Sequence, residues 1–346
     1  MRGAERSEAF GGRRSPVDRS GTDGSAGRRT GSDGSGKPAP VRFAFGAAFR
    51  PVRALSLQAP DRGSGRVADL MATSMGEFWV ADPEAGALRV HAPDGTLIRI
   101  LGREDTSLSR PVSLTGLHGR WIVALDGRKP RLAVLDEAGR LQRRFPLPEV
   151  DRPVQVCNLA DRWLVVAGDG WRAGAGKLIH VYTLFGDHVE SLFSVPNTGR
   201  AHGRAYIAAY GTSIYLAHTR SEVVSIYDTL ARTVIAFPAS GDGDGPGGAG
   251  EPGAAADGRV TCDELAGLFA TRCGEALTMY RAGGPDGGYV YDLNGLGGHP
   301  VARGLWTRER VVALEGPFFY SVAAATGSAG RVTGMSLRVW KLAYPE

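Results

Sequence analysis

Residues 66–102, RVADLMATSMGEFWVADPEAGALRVHAPDGTLIRILG, hold four short apolar runs separated by Gly, Asp and Pro. The runs are Val67–Ala72, Phe78–Ala81, Leu88–His91 and Leu97–Leu101, each of strand length. Pro93-Asp94-Gly95, between the last two, is a hairpin-turn signal. Four antiparallel strands in so short a stretch make one blade of a β-propeller. Few other folds accept a chain that repeats this unit.

The unit does repeat. Blade two spans 110–147, with Glu137-Ala138-Gly139 in the place of the first hairpin turn, and blade three spans 152–194, turning at Phe185-Gly186-Asp187. Trp79, Trp121 and Trp163 recur at 42-residue steps in the second strands, where large aromatics are expected to pack between adjacent sheets. Blade four is placed at 204–238 and the less regular blade five at 259–306. Blade six starts at Arg310 and has room for only three strands: Val311–Leu314, Phe318–Ala323 and Leu337–Leu342. An idle apolar segment at 41–58 supplies the missing strand, most simply as Val52–Gln58. The expected fold is all-β, a six-bladed propeller whose last blade is closed by an N-terminal strand. Such closure removes exposed sheet edges, so deleting 41–58 is expected to destabilise the ring severely.

Composition sets the limits around this fold. Residues 1–40 have almost no large apolar side chains and cannot offset their ordering entropy, so a disordered tail is expected ahead of a propeller domain at 41–346. ASGDGDGPGGAGEPGAAADG, 239–258, reads as a flexible insertion. Its Asp-Gly-Asp-Gly lacks the later Glu of an EF-hand loop. Eight basic and five acidic residues in 1–37 account for three of the five net positive charges, so the pI of 9.2 says little about the fold and nucleic-acid binding is not indicated. Cys157, Cys262 and Cys273 are too few for a disulfide framework. Buried free thiols are expected, a Cys262–Cys273 bridge being the alternative. No apolar run is long enough to span a membrane. Neither Arg13-Arg14 nor Arg28-Arg29 precedes a hydrophobic stretch. Taken literally the N-terminus implies a cytoplasmic protein; a start site called too far upstream would allow an exported one.

The segments GEFWVAD (76–82) and RVHAPDGTLIRILG (89–102), with weaker copies at 119–125 and 132–145, resemble the NHL-repeat group of six-bladed propellers. The resemblance covers 43–346 and is strongest in blades one and two. It implies the fold. The superfamily includes protein- and RNA-interaction modules, carbohydrate and peptide binders and some enzymes, so membership alone selects no function.

Propeller ligands usually bind where the innermost strands open onto the central channel. Arg66, Arg110, Arg152, Arg204 and Arg310 each open a blade just before its innermost strand, while Arg259 stands too far ahead of the strand it precedes. In Arg110-Pro111-Val112 and Arg152-Pro153-Val154 the arginine lies 11 residues before its tryptophan. Converging guanidinium groups suit an anionic ligand or an acidic partner surface. The alternative is that these arginines sit at exposed loop ends or pair with acids of neighbouring blades, and Asp82, Asp126 and Asp169 stand at turns from which they could neutralise the ring. Arg128, Lys129, Arg172 and Lys177 are expected on the same face. The histidines show no HxH or HExxH spacing, and only His202 and His218 fall near this face.

The expectation is therefore a non-enzymatic binding propeller, monomeric, without a cofactor, for a protein, peptide or small anionic ligand. The alternative is a metal-dependent hydrolase. Glu315-Gly316-Pro317-Phe318 resembles the start of the gluconolactonase-like family. That resemblance implies a calcium-type ion held by convergent oxygen ligands, for which Glu315 and Asp69 are the candidates; the family's further Asn and Asp motifs are missing.

Overall fold

The computed structural model describes residues 43–44, 48–58, 67–168, 176–194, 203–219, 221–238, 262–282, 287–326 and 332–343. The expected tail at 1–40 and insertion at 239–258 fall outside these residues, as do Arg66, Asp169, Arg172 and His202. The strands assemble into six antiparallel blades of four; blades one to five run in sequence order from one edge to the other, and blade six takes its outer strand from the N-terminal segment. The first strands of the blades are Asp69–Ala72, Pro111–Leu117, Pro153–Leu159, Ala205–Tyr210, Cys262–Ala270 and Arg310–Glu315. Each touches the next, and the last touches the first, so the six line a closed central channel. This is the six-bladed propeller expected from the repeat.

The burial pattern explains why blades read as runs rather than alternations. The second and third strands are sandwiched by neighbouring blades on both faces. Phe78–Asp82, Ala87–His91 and Trp163–Gly168 are accordingly buried almost throughout. Outer strands face solvent on one side: Leu97–Leu101 alternates, and Thr233–Pro238 is nearly all exposed. Six apolar layers fill the gaps between blades. Met71, Trp79, Leu114 and Ile122 join blades one and two. Leu57, Phe78, Val312 and Leu337 join six to one, which closes the ring in energy as well as in shape.

The N-terminal segment closes the circle. Phe49–Gln58 pairs antiparallel with Val332–Leu342 and becomes the outer strand of blade six, as the strand arithmetic required. Phe49 is fully buried, its ring edge-on to Phe319 at 4.8 Å, and Leu57 is fully buried in the layer between blades six and one. Just before it, Phe43–Ala44 lies parallel to Pro300–Thr307 and caps the rim of blade five, a pairing without a signal in the sequence.

The outer hairpin turns need glycine. Gly139 and Gly186 have φ of 81° and 96°, the left-handed region that a Cβ disfavours. Each is also pressed against the preceding blade: a Cβ would stand 2.7 Å from Leu101 at Gly139 and 2.6 Å from Phe145 at Gly186. The tryptophan repeat needs a correction. Trp121 pairs with Leu117 and Trp163 with Leu159, each at the first position of its strand. Trp79 instead pairs with Met71, one position inside its strand and only three residues from its closing Asp82, and is fully buried. The interval from Trp121 to Trp163 is structural; that from Trp79 to Trp121 is a coincidence of hairpin length. Cysteine burial is also corrected: Cys157 lies half-buried at the channel and Cys273 is an exposed free thiol.

Candidate functional site

The first strands and the turns joining second to third strands surround a cavity of about 460 Å³ at one mouth of the channel. A smaller cavity of about 170 Å³ shares Asp69, Gln155 and Phe269 with it and continues along the channel.

Arg110, Arg152, Arg204 and Arg310 all line the mouth cavity. Strand register shows why they coincide. In blade two the carbonyl of Arg110 accepts from the Gly127 N–H (2.8 Å), just past the second strand. In blade four the carbonyl of Arg204 accepts from the Thr219 N–H (3.0 Å) in the same way. Arg310 pairs with Val322, and Arg152 directly precedes Pro153, which pairs with Gly168. Bulges at Pro111/Ser113, Pro153/Gln155 and Val311/Ala313 then turn each strand down the channel. Arg152 has a left-handed backbone (φ 47°), which costs a non-glycine residue about 1–2 kcal/mol.

Two of the three acids expected to neutralise these arginines, Asp126 and Asp82, are used elsewhere. Asp126 accepts from the backbone N–H groups of Ser109 (2.9 Å), Arg110 (3.2 Å), Arg128 (2.9 Å) and Lys129 (3.3 Å), and its charge is matched by the Arg131 guanidinium at 3.0 Å. It therefore fixes the turn that presents Arg110 without pairing with the Arg110 side chain. Asp82 pairs with buried Arg89 at 3.2 Å. Among the described residues no carboxylate lies within ion-pairing distance of the guanidinium of Arg110, Arg152, Arg204 or Arg310. The Arg310 side chain donates to the Val67 carbonyl at 3.4 Å and lies within electrostatic reach of Asp69. Arg128 and Lys129 are exposed on the turn after Asp126, and Lys177 bonds Ser194 (3.0 Å) at the start of its strand.

Asp69 forms part of the cavity floor. One carboxylate oxygen accepts from the Ser113 hydroxyl (2.7 Å) and the Leu114 N–H (2.8 Å) of blade two, the other from the Leu70 N–H (2.8 Å). Burial pushes its carboxyl up to about 6 despite these donors and Arg310. The same device recurs at the next two junctions: Ser113 Oγ accepts from the Val156 N–H (3.2 Å), and Gln155 Oε1 from the Ile207 N–H (3.0 Å). Side-chain acceptors on the first strands of blades one to three thus clasp the backbone of the following blade.

Asp69 and Glu315 both line the smaller cavity. Desolvation at the far end of its strand raises the Glu315 carboxyl to about 7, with Arg272 opposing. Among the described residues no three His, Cys, Asp or Glu side chains gather as metal ligands. With Asp69 already holding three protein donors, this set does not fit a divalent ion bound by several convergent oxygens. His218 is buried at the end of the second strand of blade four, in the register position of Asp126, so close to Gly203 that a Cβ there would stand 2.4 Å from its ring. No helix among the described residues is long and apolar enough to cross a membrane.

Blade five corrects the reading of the ring. Its first strand carries two bulges, and Glu264 pairs with Arg281 where Arg110 faces Gly127 in blade two. The ring position is therefore Glu264, five residues beyond Arg259, and it is acidic. The insertion before the strand and the doubled bulge hid this register from sequence.

No protein-family model and no curated protein sequence matches the chain. Solved structures do. A member of the DUF4221 family from Bacteroides vulgatus superposes with a TM-score of 0.56 at 8% identity, covering 86% of this chain and 98% of the other. Virginiamycin B lyase from Staphylococcus aureus gives 0.53 at 9% identity, covering 84% and 99%. The WD40 repeats of RRP9 give 0.52 at 12% identity, covering 85% and 84%. At these identities the likeness is one of fold, a β-propeller, which in this chain has six blades.

Proposed function

We propose that this chain is a binding propeller whose channel mouth holds an anionic ligand or an acidic segment of a partner. The observation that carries the reading is the arrangement of Arg110, Arg152, Arg204 and Arg310. Four blades place a guanidinium at equivalent positions around one cavity, without an ion-pairing acid among the described residues. Four like charges facing a shared space repel one another, and a bound carboxylate, sulfate or phosphate group relieves that repulsion while accepting their fixed donor forks. The left-handed backbone at Arg152 supports the same reading, since strain of this kind clusters at ligand clamps.

The test is a double charge reversal. Arg110→Glu with Arg152→Glu is expected to abolish retention of the protein on a phosphate or carboxylate matrix, and to remove its captured partners, with the melting temperature little changed. Unchanged retention and an unchanged partner set would show that the mouth is not the site. The hydrolase reading makes a different demand: calcium must raise the melting temperature, and Glu315→Gln must cancel that rise.

A further inference from the structure

The arginine arc does not run round the whole mouth. Blades two, three, four and six each set an arginine on its lining. Blade five contributes Ala266, Gly267, Leu268 and Phe269 from its first strand and Met279 from its second, without a charged or polar side chain among them. Its acid, Glu264, is exposed and does not line the cavity.

Gly267 makes this wall continuous. A Cβ there would stand 2.6 Å from the Met279 methyl carbon and 3.4 Å from the Phe269 ring, so the missing side chain lets these two groups close over the strand. The second bulge, between Leu265 and Gly267, shifts the strand so that Gly267 pairs with Met279. Phe269 and Ala266 remain half-buried, with apolar surface turned to the cavity. In a closed ring of six, blade five stands across the channel from blade two, so the wall faces Arg110.

We propose that the ligand of this mouth is an amphiphilic organic anion. Its carboxylate, sulfonate or phosphate group sits in the guanidinium arc, and its aromatic or aliphatic body lies on Ala266 and Phe269, which the buried Leu268 and Met279 back from behind. The inference deepens the anion reading and rests on it. A small inorganic anion uses only the charged arc and leaves the apolar wall wet. An anion with an attached ring uses both, because apolar surface gains by leaving water against an apolar partner. The cavity volume of about 460 Å³ suits an organic molecule rather than a single phosphate ion.

Isothermal titration of the full chain with inorganic phosphate, phenyl phosphate, 2-naphthyl phosphate and neutral 2-naphthol tests this. Affinity is expected to rise along the three phosphates, by about tenfold or more from the first to the last, with the naphthol binding far more weakly than its phosphate. Phe269→Ser is expected to pull 2-naphthyl phosphate back toward inorganic phosphate without changing the latter. The wild-type series stands even if that variant fails to fold. Equal affinity for the three phosphates, still lost in the Arg110→Glu, Arg152→Glu protein, would overturn the amphiphilic ligand and leave the anion site intact. Naphthol binding as tightly as naphthyl phosphate would also overturn it, as would a Phe269→Ser protein that keeps the full preference. Phosphates that fail to bind, or that bind regardless of the arginine pair, would overturn both readings.

Discussion

Blades two and three differ from blades five and six in how they are completed. The first pair are built from consecutive strands, each with a single bulge on the first strand and an Arg-Pro-Val entry, and their first strands are clasped by Ser113 and Gln155 to the blade that follows. The second pair borrow strands from the N-terminus: Phe43–Ala44 caps blade five and Phe49–Gln58 completes blade six. Blade five carries two bulges and an acidic entry, and meets the mouth with Ala266–Phe269 beyond it. The regular side of the ring supplies charge at regular intervals. The irregular side supplies closure, Arg310 and an apolar stretch of the mouth.

The largest effect should come from attacking the borrowed strand. Phe49→Ala leaves a hole beside Phe319 in a layer that a separate segment must hold shut, and is expected to cost about 3–5 kcal/mol in urea unfolding. Deleting 43–58 is expected to abolish cooperative unfolding altogether. Leu132→Ala, fully buried in the layer between blades two and three, is expected to cost about 2–5 kcal/mol while unfolding stays cooperative. A deletion protein that unfolds as a single sharp transition would show that the borrowed strands are ornaments on a ring already closed.

This half of the molecule also shows what a sequence can and cannot disclose. Blades two and three were legible because their strands follow one another at even spacing with glycine at each turn, and the missing strand of blade six could be inferred by counting. The four arginines were found for the same reason: a one-residue bulge preserves their offset from the strand. Glu264 was missed because a second bulge and a long insertion broke that offset. The clasps by Asp69, Ser113 and Gln155 were missed too. They join different blades, and three different residue types perform one task, so repetition of sequence could not reveal them.

Asp69 gives the next effect, and its sign follows from linkage. Burial raises its carboxyl from 3.8 to about 6, so the folded chain holds this proton over a range where the unfolded chain has released it. Stability from this group is therefore fully present below pH 4 and is lost as pH rises toward 6, by about 2–3 kcal/mol. Asp69→Asn keeps a carbonyl acceptor for Leu114 and should remove this part of the slope. The urea midpoint of the variant minus that of the wild type is expected to grow between pH 4 and pH 7. A difference that does not change with pH would mean that Asp69 is already solvated.

Two glycines separate the halves at a finer scale. A Cβ on Gly127 in blade two would stand 2.5 Å from one Val112 methyl and 3.1 Å from the other, and a β-branched side chain has little freedom to yield. A Cβ on Gly267 would meet mainly the flexible end of Met279. Gly127→Ala is therefore expected to cost about 1–3 kcal/mol, and Gly267→Ala less than about 1 kcal/mol. The reverse order would place the rigid wall in blade five.

The smallest expected effect is the most telling for the mouth. Glu264→Arg would restore the residue type that equivalent positions carry in four other blades, yet Glu264 does not line the cavity. Binding of 2-naphthyl phosphate should then change by less than about threefold, the size expected of an exposed charge acting through solvent. The same substitution placed in the arc would act on the ligand directly. A gain of tenfold or more would mean that position in the register, rather than contact with the cavity, decides which blades serve the ligand, and the apolar wall would then be an incidental consequence of the second bulge.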